Sequence, residues 1–78
     1  MKTLEFIEKL KEALEFEEVE MTENTNLRQI EGYDSMSVMT IIAFIDENFS
    51  KKLTAQQLAS ITTVKSLKVL IGQDIFSD

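Results

Sequence analysis

Apolar residues recur along this chain at steps of three and four, and no proline interrupts them. Leu4, Ile7, Leu10 and Leu14 fall on one face of a helix predicted from about Leu4 to Phe16, and glutamates and lysines cover most of the rest. Thr3 is the expected N-cap, and the pairs Glu5–Lys9 and Glu8–Lys11 have favourable helical spacing. A second helix is expected from Asp34 or Ser35 to about Asn48. Its broad apolar face is Val38, Ile41, Ile42, Ile45 and Phe49, widened by Met39 and Phe44, so it is the central helix of the fold. A last helix, Val64 to about Ile71, is expected to bury Val64, Leu67, Leu70 and Ile71. Thr62 or Thr63 would cap it, and Gly72 would end it in a left-handed conformation. A short turn around Thr54 to Ser60 carries Leu58 and Ala59. With two glycines there is little of the turn chemistry that hairpins need. The expected fold is an all-α four-helix bundle, three main helices plus one short one.

Between Glu17 and Asp34 the periodicity fades. Asn24-Thr25-Asn26 is turn chemistry, and Val19, Met21, Leu27 and Ile30 are isolated anchors for a long loop. A loop of this length in a small chain tends to be functional. Gly32 permits an unusual backbone angle just before Asp34. The 78 residues make one expected domain, 1–78, with a core barely large enough to fold alone and no cysteine to staple it.

Charge narrows the partners. Eight Lys and Arg stand against fourteen Asp and Glu, a net of −6, and the whole excess lies before Ser35. Nucleic acid and anionic membrane surfaces are disfavoured, and a basic protein partner is favoured. The longest apolar run, Ile41 to Ile45, is too short to cross a bilayer, and no targeting segment opens the chain, so the expected location is cytoplasmic.

Catalysis is excluded by inventory. The chain has no histidine to activate a serine and no cysteine nucleophile, and its carboxylates lie mostly on a solvated face. The two glycines are forty residues apart and cannot form a phosphate loop, and no metal-ligating pattern is present. One constellation remains: Gly32-Tyr33-Asp34-Ser35-Met36, a hydroxyl at the head of the most apolar helix. Capping alone accounts for an Asp-Ser pair there.

In its setting, however, the segment resembles the acyl carrier protein family. An acidic first helix, a long loop, G-x-D-S-(L/M) at the head of the second helix and the stretch Leu58-Ala59-Ser60-Ile61-Thr62-Thr63-Val64 carry the resemblance over nearly the whole chain. It implies that Ser35 is the attachment site of 4′-phosphopantetheine. A phosphopantetheinyl transferase would install the group from coenzyme A with magnesium, and Asp34 would assist. The protein would be a standalone, non-catalytic carrier of acyl thioesters in fatty acid, polyketide or related specialised biosynthesis. The resemblance also accounts for the missing thiol, which would arrive on the prosthetic arm.

The sequence departs from fatty-acid carriers in several places. Met36 replaces the usual leucine, and Ser37 and Thr40 stand where those carriers place acids. Lys51-Lys52 follows the second helix where they tend to be acidic or neutral. The usual negative docking stripe is therefore weakened, and acids return only at Asp46 and Glu47. Met36, Met39, Ala43, Asp46 and Glu47 are the expected docking residues for acyl- or aminoacyl-loading enzymes with basic patches. Met39 and Ala43 are equally explained by partial burial. Tyr33 before the Asp-Ser pair is similar to dedicated carriers, D-alanyl carriers among them, so an aminoacyl cargo is the alternative. A small helical adaptor without a prosthetic group is the rival from another class. The expected protein is a monomer that binds no nucleic acid and does not insert stably into membranes. Phe44 and Phe49 are expected to fill interior space, leaving only modest shelter for an acyl chain.

Overall fold

The computed structural model describes residues 1–77 as four helices: α1 (Thr3–Leu14), α2 (Ser35–Phe49), α3 (Ala55–Ala59) and α4 (Val64–Ile71). Single 3₁₀ turns form at Leu27–Gln29 and Gln73–Ile75. The all-helical bundle expected from the apolar spacing is the one observed. No described helix is long and apolar enough to cross a membrane.

Helix α1 buries Phe6, Ile7, Leu10 and Leu14, whereas Leu4 is 71% exposed. The expected face was therefore set too far round. At 3.6 residues per turn Phe6 lies only about 40° from Leu10, and Leu4 about 120°. Thr3 is not the N-cap. Lys2 takes that position without a side-chain bond, and Thr3 is buried in the first turn, where its hydroxyl accepts from Lys68 Nζ. The helix stops at Leu14, two residues before the expected end. Glu15 turns into the left-handed region at φ 61°, and the amides of Glu15 and Phe16 donate to the carbonyls of Glu12 and Lys11. This pair of bonds is the Schellman arrangement, which satisfies carbonyls that the helix end leaves orphaned. A side chain in that region costs roughly 1–2 kcal/mol, and the two closing bonds offset it.

The other three helices begin alike. Asp34, Thr54 and Thr63 each accept from the amide three residues on, and the side chains of Ser37, Gln57 and Ser66 each accept from the cap residue's own amide. Such reciprocal capping matters most for α3 and α4, with five and eight residues, because short helices are marginal without caps. Of the two threonines considered for α4, Thr63 is the cap. Gly72 ends α4 at φ 124° and ψ 116°, a positive-φ conformation outside the left-handed helical well expected there.

Ile41, Phe44 and Ile45 of α2 are buried with Leu58, Val64, Leu67 and Ile71 of the later helices. Val38, Ile42, Phe49 and Leu70 are half-buried, so Leu70 sits at the edge of the core rather than in it. Phe6 meets Phe44, Phe49 and Phe76 at ring-centroid distances of 5.9, 6.0 and 5.1 Å.

The long first loop is more ordered than its weak periodicity suggested. Met21 and Leu27 are buried anchors, as expected, and Val19 and Ile30 are half-buried. The amide of Leu27 donates to Thr62 O (2.7 Å), and those of Val64 and Lys65 donate to Thr25 O (3.2 Å) and Glu23 O (2.9 Å). These bonds fasten the loop to the start of α4.

Candidate functional site

The loop delivers Gly32-Tyr33-Asp34-Ser35 to the head of α2. Gly32 takes φ 91°, and a Cβ there would lie 3.5 Å from the Phe16 ring. The ring contact would be an ordinary one, so it is the backbone angle that calls for glycine here. Tyr33 is half-buried, and its amide donates to Ile30 O (3.1 Å), closing the 3₁₀ turn onto the site.

Two serines follow Asp34 closely, and their surroundings differ. Ser37 is 7% exposed: its amide donates to Asp34 Oδ1 (3.1 Å), and its Oγ accepts from the Asp34 amide (3.2 Å). That hydroxyl is locked into the cap. Ser35 occupies the first helical position and is exposed, and among the described residues no hydrogen bond engages its hydroxyl. It stands at the positive end of the α2 dipole, a favourable place for a phosphate.

Ser35 also lines an open groove of about 400 Å³ between α2 and α3. Val38 and Met39 contribute from α2, Ala55, Leu58 and Ala59 from α3, and Arg28, Tyr33 and Asp34 from the loop. Arg28 donates from its Nη2 to the carbonyl of Ala59. Burial pushes the Tyr33 phenol above its ordinary pKa of 10.0, and the positive charge of Arg28 opposes part of that rise.

The expected docking residues all reach the surface. Met36 is 76% and Met39 63% exposed, and Ala43, Asp46 and Glu47 are exposed as well. Met39 therefore does not widen the core, contrary to the apolar-face expectation. At 100° per residue these five positions share one side of α2 with Ser35. The acids stand at the far end, Asp46 about 16 Å along the axis from Ser35. Among the described residues no cluster of acids suggests a metal site.

Ser37 and Arg28 were not singled out as site residues. The D-x-x-S spacing from Asp34 carried the signal for Ser37. Nothing in an aperiodic loop marked Arg28, because its place depends on Ala59, thirty-one residues away.

The exposed hydroxyl, the phosphate-favouring helix end and the adjoining groove fit a phosphate-linked arm. Comparisons with curated proteins and with solved structures give no match. The family described as phosphopantetheine attachment site matches residues 5–70, from α1 to the last turn of α4. The chain belongs to this phosphopantetheine attachment family, whose members carry 4′-phosphopantetheine covalently.

Proposed function

We propose that the protein carries acyl intermediates as thioesters on a 4′-phosphopantetheine arm attached to Ser35 Oγ. The observation that carries this reading is the contrast between two neighbouring serines: Ser35 is exposed with an unengaged hydroxyl, and Ser37 is buried in the cap. When bound, the group supplies the thiol that the chain itself lacks. Ser35 is an anchor and has no catalytic part in the carrier's cycle. A phosphopantetheinyl transferase must supply the base that removes the serine proton, because the chain has no histidine. Asp34 assists by fixing the turn that presents Ser35, through its bonds with Ser37. Met36, Met39 and Ala43 form the apolar part of the surface that partners read, with Asp46 and Glu47 as the charged part. Family membership favours this carrier over an adaptor without a prosthetic group.

The test is incubation of the purified protein with coenzyme A, magnesium and a broad-specificity transferase. The expected result is a mass gain of one phosphopantetheinyl group, lost in Ser35→Ala and retained in Ser37→Ala. A gain that survives Ser35→Ala would overturn the assignment.

A further inference from the structure

On α2 itself no charged residue stands between Asp34 and Asp46, so its first three turns offer a partner at Ser35 only apolar and hydroxyl groups. The charge at that end comes from a neighbour. The end of α1 lies beside the head of α2: Ala13, Glu15 and Phe16 share a notch of about 260 Å³ with Asp34, Met36 and Thr40. Further along the same pair of helices Glu12 lines a second hollow with Phe44, and Ala13 borders both. Val38 and Thr40 are about 160° apart around α2, so the α1–α2 notch opens on the other side of the helix from the α2–α3 groove. Its apolar surface is Ala13 and Met36, both exposed, and Glu12 and Glu15 stand exposed at its edge.

These glutamates are unfavourable where they stand. Between Lys11 and Arg28 the chain carries six acids and no base. Glu23 is paired with Lys68 at 3.5 Å, but among the described residues no ion pair or hydrogen bond engages the carboxylate of Glu12 or Glu15. Both face the negative end of the α1 dipole, where a cation is favoured. Glu12 also lies four residues from Glu8, a repulsive spacing on a helix. Glu15 turns at φ 61°, at a position that glycine fills best. Residues kept against the local rules of the fold are the mark of a surface held for function.

We infer that the α1–α2 notch is the docking surface for the phosphopantetheinyl transferase, which meets Glu12 and Glu15 with basic side chains and covers Ala13 and Met36 with an apolar one. This inference rests on the carrier reading above and names the surface through which the same site is modified. The occupant follows from reach. Enzymes that act on the thiol meet the far end of the arm, whereas the transferase must come to the Ser35 hydroxyl itself, so its contacts fall on the groups around it. In its step the bond from Ser35 Oγ to phosphorus forms and the pyrophosphate bond of coenzyme A breaks. Adenosine 3′,5′-bisphosphate leaves, and the serine proton passes to the transferase's base.

The test measures initial rates of phosphopantetheinylation by a broad-specificity transferase, with coenzyme A and magnesium, over a range of carrier concentrations. Glu12→Gln and Glu15→Gln should each raise KM about two- to fivefold, the factor an exposed ion pair contributes, and leave kcat unchanged. The double variant should also lose most of the salt dependence that KM shows in the parent. Asp74→Asn removes one charge at the other end of α2, in the turn before Phe76, and should leave KM unchanged. Thermal melts separate docking from folding: each glutamine variant should gain about 2 °C, because an unfavourable charge is gone. An unchanged KM in the double variant would overturn the inference. An equal rise in Asp74→Asn would also overturn it by making the effect one of bulk charge, and a lowered melting temperature would do so by giving the carboxylates to the fold. A parent protein that gains no phosphopantetheinyl mass would instead overturn the carrier reading itself.

Discussion

The two ends of α2 are built for opposite purposes. At the carboxyl end Phe44 and Phe49 enter a cluster with Phe6 and Phe76, and the Lys68 ammonium sits 4.9 Å from the centroid of the Phe76 ring. Lys68 is only 13% exposed and also reaches Thr3 and Glu23, tying α1, the first loop and α4 to the chain's last turn. At the amino end, about 21 Å away, Ser35, Met36 and Met39 lie open to solvent beside a groove. The comparison teaches that a small chain can leave one helix end uncovered if the other end holds the packing. The exposed end is then kept in shape by local hydrogen bonds, chiefly those between Asp34 and Ser37.

The sharpest way to break this division is to truncate a residue at each end. Phe6→Ala should cost about 3–5 kcal/mol in urea denaturation, a large part of what a small domain has. Met36→Ala should change stability by no more than about 0.5 kcal/mol. Comparable losses would show that packing is spread evenly along α2. A middle effect is expected at the cap: Asp34→Ala should lose about 1 kcal/mol of stability and slow phosphopantetheinylation of Ser35, read by urea melts and by mass spectrometry over time. An unchanged modification rate would deny Asp34 its part in presenting the serine.

The smallest effect concerns Tyr33, the chain's only tyrosine. Its phenol should titrate above 10.0 by ultraviolet absorbance, and higher still in Arg28→Gln, where the opposing charge is gone. Because the folded pKa lies above the unfolded value, the contribution of Tyr33 to stability is intact below pH 10 and is lost as pH rises through the folded pKa. A midpoint at or below 10 would place the phenol in open solvent and separate it from the groove.

Much of the fold was legible because it rests on local signals. The apolar faces of α2 and α4 and the Asp34 and Thr63 caps all follow from residues a few positions apart. The resemblance carried by Asp34-Ser35 and by the stretch from Leu58 to Val64 agrees with the family match over residues 5–70. What stayed hidden depends on distant neighbours. Leu4 and Phe6 are both apolar and close in sequence, and only the placement of Phe44, Phe49 and Phe76 decides which is buried. Thr3 looked like a cap until Lys68, sixty-five residues on, claimed its hydroxyl. The order of the first loop comes from bonds to Thr62 O and from the amides of Val64 and Lys65, which no local pattern announces. At the candidate site, the motif points to Ser35 as the proposed anchor, whereas nothing local points to the place of Arg28, whose contact is the carbonyl of Ala59.

The most direct test of the central claim is to locate the attached group by fragmenting the modified protein in a mass spectrometer. Electron-transfer fragmentation separates Ser35 from Ser37, two residues apart in the same peptide. The account predicts the added mass on Ser35 alone. Added mass on Ser37, or an unmodified Ser35 in protein that remains folded, would contradict it.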